Sequence, residues 1–211
     1  DAARRLREHA GKAIGVFEDD GLTALAFKPH TLTADKARAF LQNTGTLISS
    51  RQAEDWLVAR QLLPAAAAEL SHAGDAERAV RDASLPWLDG AGAADVVLTC
   101  GGANAFWSAY EAVCDVQAER GRDIWLQLGW LYVDTGLVLD RFARGDAPMK
   151  WVTTDGLDAL AEYLDAHGER VAGIVCEAPS NPLLETCDLA RLSDLARRHG
   201  ALLVLDPTVS S

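Results

Sequence analysis

The second half of the chain alternates short apolar runs with longer amphipathic stretches. From Asp95 onward the apolar runs are DVVLTC (95–100), DIWLQL (123–128), MKWVTT (149–154), VAGIVCEA (171–178) and ALLVLD (201–206). Between them the apolar residues recur every three or four positions, which predicts helices over 103–119, 155–167 and 188–199 and a shorter one near 136–142. Continuous apolar strands that alternate with amphipathic helices are typical of a mostly parallel sheet with flanking helices on both faces. The predicted fold class is α/β.

The first third of the chain has a different pattern. Residues 13–28 predict two strands around an Asp-Asp-Gly turn, which is a hairpin signal. Helices are predicted over 34–42 with Thr33 as N-cap, over 51–62 with Ser49 or Ser50 as N-cap, and over 64–83. We therefore expect residues 1–75 to form an N-terminal extension or small α+β region and residues 76–211 to form a larger domain.

Composition narrows the functional classes. The 211 residues are 49% apolar, enough to bury a sizeable core, and the net charge of −11 without a Lys/Arg cluster argues against nucleic acid as a partner. No apolar run approaches the roughly 20 residues that a membrane span needs, and the charged N-terminus does not resemble a signal peptide. The expectation is a soluble, cytoplasmic protein with no membrane partner. The four cysteines lack metal-site spacing, which favours thiols that act as small apolar side chains and predicts no metal.

Unusual residues follow three of the apolar runs, and ligands of parallel α/β sheets bind at the carboxyl ends of the strands. Gly101 and Gly102 follow the first run, where free amides at a helix start could bind a phosphate or the glycines could simply shape a turn. In EAPSNP, two prolines would hold Asn181 rigidly. Asp206 ends the last run, where it could cap the next segment, bind a metal or nucleotide, or pair with a cationic ring nitrogen.

Four segments, CGGANAFW, LYVDT, EAPSNPLLE and GALLVLDPT, occur in an order that resembles the cystathionine γ-synthase-like (Cys/Met metabolism) family of pyridoxal 5′-phosphate (PLP) enzymes. The YVDT variant, in place of Tyr-Gly-Gly-Thr, is closer to the fungal-type cystathionine γ-synthases. The resemblance covers about residues 95–211. It implies part of the large domain of a fold-type I (aspartate aminotransferase-like) enzyme that acts on a small-molecule amino-acid substrate, as a homodimer or homotetramer.

The resemblance also implies roles for individual residues. Asn181 would hydrogen-bond the 3′-oxygen of the cofactor ring, and Asp206 would pair with the pyridinium nitrogen, whose proton makes the ring an electron sink. Tyr132 would stack on the ring face. Gly101 and Gly102 would offer backbone amides to the phosphate, and Thr208 would lie beneath the ring.

The sequence departs from the family pattern at some positions. Cys100 stands where the family has serine, and Pro207 stands where it has asparagine. The lysines of the chain all precede Asp206: Lys12, Lys28, Lys36 and Lys150. None of them matches the family's Schiff-base lysine, so we expect no catalytic residue in this chain itself. Two functions remain open. The chain is either a portion of a transferase or lyase of methionine biosynthesis that catalyses γ-replacement on an activated homoserine ester with cysteine, or a non-catalytic remnant that serves regulation or assembly.

Overall fold

The computed structural model describes residues 2–70 and 72–210, and it divides the chain into two compact units, Asp1–Ala105 and Phe106–Ser211. The elements of the first unit are α1 (Ala2–Ala10), β1 (Gly15–Asp19), β2 (Leu22–Ala26), α2 (Leu32–Thr44), α3 (Ser50–Ala59) and α4 (Ala76–Ser84). The predicted hairpin is confirmed, because β1 and β2 pair antiparallel. Its turn residues Asp20 and Gly21 both have positive φ, as a two-residue hairpin turn requires.

Two helix predictions in this unit need correction. Helix α2 begins at Leu32 with Thr31 as its N-cap, not Thr33, because the Thr31 side chain accepts a hydrogen bond from the Ala34 amide. The helix predicted over 64–83 is wrong except for α4, which starts after the N-cap Asp75. Gly74 has a φ of +108°, which a helix cannot include, and the alanine-rich segment before it has no buried side to stabilise a short helix. The Ser49 cap of α3 is confirmed as part of a capping box with Gln52.

The strand predicted over 95–100 is also wrong. A short 3₁₀ turn spans Ala93–Asp95, and the extended backbone that follows at Val96 pairs with no strand among the described residues. Val97 is exposed there. A β-strand is stabilised by a neighbouring strand, so an apolar run without such a neighbour stays irregular.

Helix α5 (Gly102–Ala118) leads into the second unit. The remaining elements are β3 (Ile124–Leu128), α6 (Val133–Phe142), β4 (Met149–Trp151), α7 (Leu157–His167), β5 (Val171–Glu177), α8 (Leu189–His199) and β6 (Leu202–Asp206). The four strands form one parallel sheet in the order β4-β3-β5-β6, so the predicted parallel α/β architecture is confirmed.

Helices cover both faces of this sheet. On one face, Leu126 and Ile174 are fully buried with Leu160 of α7 and Leu192 of α8 in a continuous apolar core. Because successive side chains of a strand alternate between faces, Trp125 points the other way.

On this second face, Trp125 stacks on Tyr110 of α5 with a centroid separation of 4.9 Å. Gly173 of β5 leaves room for the indole, since a Cβ there would lie 2.5 Å from a Trp125 ring atom. These contacts hold β5 at the centre of the unit. None of the helices in the described part of the chain has both the length and the apolar character that a membrane crossing requires.

Candidate cofactor site

The ends of β5 and β6 lie side by side at the carboxyl edge of the parallel sheet. Glu177, the last residue of β5, is the register partner of Asp206, the last residue of β6. The Ala178 amide donates to the Asp206 carbonyl oxygen at 3.0 Å, which keeps the two strand ends together. This edge is where a doubly covered parallel sheet binds ligands.

The loop after β5 presents Asn181 at its tip. Ser180 is fully buried and closes the loop, because its amide donates to the Glu185 carbonyl at 2.9 Å while its hydroxyl accepts from the Glu185 amide at 3.2 Å. Residues 181–184 between these contacts are exposed. The peptide bonds before Pro179 and Pro182 are both cis. The contacts between Ser180 and Glu185 close the loop, whose outermost residues include Asn181, the predicted ligand of the cofactor ring.

Glu177 contacts both the Asn181 loop and the loop that carries Tyr132. Glu177 is only 6% exposed. Its Oε1 accepts a hydrogen bond from the backbone amide of Tyr132, and its Oε2 accepts one from the backbone amide of Asn181 at 3.4 Å. Burial raises the pKa of the Glu177 carboxyl, the two amides oppose that rise, and the negative charge of Asp206 adds to it. The sequence indicates only that Glu177 is a charged residue near the site, because no pattern reveals which backbone groups its carboxylate binds.

Asp206 has one carboxylate oxygen engaged and one open. Its Oδ1 accepts hydrogen bonds from the Thr208 amide at 3.0 Å and from the Thr208 hydroxyl. Its Oδ2 has no hydrogen-bond partner within residues 2–70 and 72–210. The carboxylate therefore caps the turn after β6, as one alternative predicted, and still offers an oxygen to a ligand, as the other requires.

Tyr132 lies at the N-cap of α6, where its carbonyl accepts from the Gly136 amide at 3.1 Å. Its side chain is 56% exposed, so a ring face is available for stacking. A hydrogen bond to the buried carboxylate of Asp134 raises the pKa of the Tyr132 phenol. Asp134 was not predicted as a site residue, although the acid that replaces the family's second glycine in YVDT could have indicated it.

Gly101 and Gly102 belong to the first unit, at the start of α5. The Gly101 carbonyl accepts from the Ala105 amide at 2.9 Å, and the amides of the first helical turn have no partner within the helix. Neither glycine has a positive φ, and a Cβ on either would meet no atom within 4 Å. Turn geometry and packing thus do not require glycine here, which favours the alternative of a close backbone approach to a phosphate.

Taken together, the second unit is a parallel α/β domain whose carboxyl edge presents a carboxylate oxygen, an amide and an exposed aromatic ring. The family comparison identifies the class of ligand. The chain belongs to the Cys/Met metabolism PLP-dependent enzyme family, whose profile matches residues 64–211.

Three curated relatives illustrate the range of this family. The chain is 36% identical over its whole length to an L-2-amino-4-chloropent-4-enoate dechlorinase/desaturase of Streptantibioticus cattleyicolor, of which it covers 42%. It is 34% identical over 87% of its length to an alanine racemase of Aspergillus violaceofuscus, of which it covers 36%. It is 32% identical over 56% of its length to a cystathionine gamma-synthase of Neurospora crassa, of which it covers 19%. The chain thus spans less than half the length of each of these relatives.

The residues at the sheet edge have the chemistry that PLP requires. An open carboxylate oxygen suits a cationic ring nitrogen, a rigidly placed amide suits the ring oxygen, and an exposed phenol ring suits the ring face. Among the lysines, Lys150 is on β4 and pairs with Asp140 at 2.6 Å. No lysine of this chain follows Asp206, and the absence of a Schiff-base lysine from these 211 residues stays a prediction of the family resemblance.

Proposed function

We propose that this chain is the ring-binding portion of a PLP-dependent enzyme that removes or replaces a leaving group on the γ carbon of an amino acid. The observation that carries the proposal is Asp206, whose Oδ2 is open while its strand end is paired with the start of the Asn181 loop. Two relatives support the choice of the γ carbon. One is a cystathionine gamma-synthase, and the substrate named for another bears its chlorine on carbon 4, which is the γ carbon of that amino acid.

Each residue at the edge would contribute separately. When bound, PLP with a protonated ring nitrogen withdraws electrons from the bonds at the substrate's α carbon. The Asp206 carboxylate would hold that proton in place, and the Thr208 hydroxyl, which donates to Asp206, would orient the carboxylate. Asn181 would donate to the ring oxygen, and the Tyr132 ring would cover one face. For the first unit, the family resemblance separately implies that Gly101 and Gly102 offer backbone amides to a phosphate.

The finer proposal is γ-replacement on an activated homoserine ester with cysteine. γ-Elimination is the second candidate, because the relative that matches this chain over its full length is named a dechlorinase/desaturase. The two reactions share the loss of the γ substituent and differ in the next step. In replacement the cysteine thiol adds to the γ carbon. In elimination no thiol adds, and the carbon skeleton of the substrate is released as a keto acid together with ammonia.

The products distinguish these reactions. The whole protein, loaded with PLP, would be incubated with O-succinyl-L-homoserine with and without L-cysteine, and the products identified by mass spectrometry. Cystathionine formed only with cysteine supports replacement, and 2-oxobutanoate with ammonia in both reactions supports elimination. Failure to form either product, together with failure to bind PLP, would contradict the proposal and favour a non-catalytic regulatory or assembly module.

We also propose that the whole protein is a cytoplasmic homodimer or homotetramer. Support for association comes from exposed apolar side chains, among them Trp130 and Leu184 in loops and Val133 at the start of α6. Exposed apolar side chains that occur close together mark association surfaces more often than isolated ones do.

A further inference from the structure

We propose that Glu177 is a positioning residue that fastens the loops carrying Tyr132 and Asn181 to the end of β5, and thereby sets the distance between ring-stacking and ring-binding groups. The inference rests on the proposed function for the identity of the ligand. The contacts on which it depends belong to this chain alone.

The two oxygens of the carboxylate serve two different loops. Oε1 binds an amide 45 residues earlier in the sequence, at the N-cap of α6, and Oε2 binds an amide four residues later, in the loop after β5. Both amides belong to residues predicted to contact the cofactor ring. A movement of either loop would break a hydrogen bond to the same buried group, so the positions of the two loops depend on each other.

A buried glutamate at this position costs stability that a purely structural role does not explain. A buried carboxylate loses hydration, and Glu177 has no Lys or Arg partner in the described part of the chain that would compensate. A glutamine at this position has one acceptor oxygen, and its NH₂ group would face the second amide as another donor. Only a carboxylate accepts from both loops at once, which explains why the acid is kept at a buried strand end.

One further carboxylate and two uncharged groups surround the Glu177 carboxyl. Asp206 is its register partner on β6, the Tyr132 backbone amide donates to it from the start of α6, and the Cys176 thiol precedes it on β5. Burial and the Asp206 charge both raise the pKa of Glu177 above its ordinary value. The Tyr132 and Asn181 amide protons should therefore report a single shared titration of the carboxyl between them.

The experiment is a pH titration of the ¹⁵N-labelled whole protein by NMR. The expected result is that the Tyr132 and Asn181 amide shifts change with one common midpoint above the ordinary glutamate pKa, and that Glu177→Gln removes this titration from both. In Asp206→Asn the common midpoint should move down, because a negative neighbour has been removed. Separate midpoints, or a titration that persists in Glu177→Gln, would overturn the proposal.

A matched control and a ligand complete the design. Glu185→Gln changes a carboxyl of the same loop whose side chain binds neither amide, and it should leave both titrations unchanged.

Pyridoxamine 5′-phosphate, which carries the cofactor ring without its aldehyde, serves as the probe of binding. Glu177→Gln should weaken its binding about tenfold or more, since a hydrogen bond to a charged group is lost from the site, whereas Glu185→Gln should not.

The two proposals fail in different ways. If the wild-type whole protein binds the probe and its Glu177→Gln variant binds it equally well, the positioning role is wrong and the proposed function stands. If the wild-type whole protein binds no probe, the proposed function is wrong, and the amide titrations still decide whether Glu177 couples the two loops.

Discussion

Replacement of Asp206 separates its two possible roles, because the structure assigns them to different oxygens. Oδ1 caps the turn through the Thr208 amide and hydroxyl, while Oδ2 is open to a ligand. Asp206→Ala removes both oxygens. Loss of the cap should cost about 1 kcal/mol of unfolding free energy and lower the melting temperature.

The effect on catalysis should be larger than the effect on stability. Without the carboxylate the ring nitrogen loses its proton, and turnover in the whole protein should fall by at least about a hundredfold, which corresponds to about 3 kcal/mol of transition-state stabilisation. Asp206→Asn is the sharper variant. Asparagine caps as well as aspartate does, so stability should stay near that of the wild type, but an amide cannot keep the ring nitrogen protonated and turnover should fall as in Asp206→Ala.

Thermal melting and turnover are measured on the same preparations. Asp188→Ala is the matched control, since Asp188 caps α8 through the Arg191 amide at 2.9 Å and has no proposed contact with the cofactor. It should lower the melting temperature by a similar amount and leave turnover intact. Normal turnover in folded Asp206→Ala or Asp206→Asn would refute the assignment of this residue to the ring nitrogen.

Two further predictions concern packing and assembly. Gly173→Ala should destabilise the protein by about 1–3 kcal/mol in chemical denaturation, because a Cβ would lie 2.5 Å from the buried Trp125 ring. Gly136→Ala is the control and should cost nothing, since its Cβ would meet nothing within 4 Å. Equal stability of the two variants would contradict the packing argument. Light scattering after gel filtration should give the mass of a dimer or tetramer for the whole protein, and Trp130→Glu should weaken association; a wild-type monomer at all concentrations would exclude the proposed oligomer.

The sequence predicted best those parts of the fold where a local pattern and the tertiary environment agree. Strand β5 reads as an unbroken apolar run and is buried along its whole length between α-helical layers. Residues 95–100 have much the same apolar texture, yet form no strand, because pairing depends on a neighbour that the local sequence does not specify. The alanine-rich segment after Pro64 failed as a helix for a related reason, since propensity without a buried face does not stabilise a short helix.

The candidate site could be predicted only in part. Asp206 and Asn181 stand at strand ends that the pattern located correctly, so their meeting at one sheet edge follows from parallel topology. The link between Glu177 and the Tyr132 amide joins residues 45 apart, and no periodicity or motif encodes a contact between a side chain and a distant backbone group. The open and capped oxygens of Asp206 likewise required coordinates.

The energetics of the sheet edge connect stability with function. Glu177 and Asp206 place two carboxylates in register, and neither has a Lys or Arg partner among the described residues. Because the pKa of Glu177 is raised on folding, the native state binds its proton more tightly than the unfolded chain does. Its contribution to stability is therefore largest at low pH and decreases as the pH rises from the ordinary glutamate pKa through the raised value.

Near neutral pH the charged Glu177 carboxylate therefore works against the fold. An apolar residue in place of Glu177 would avoid that cost, as replacement of buried charges by apolar residues often does. The costly arrangement is understandable if it serves a ligand that carries positive charge next to Asp206 and needs two loops held at a fixed separation. A ring whose cationic nitrogen pairs with Asp206 and whose oxygen accepts from Asn181 meets both conditions, and the negative charge at this edge would then strengthen binding of the cofactor.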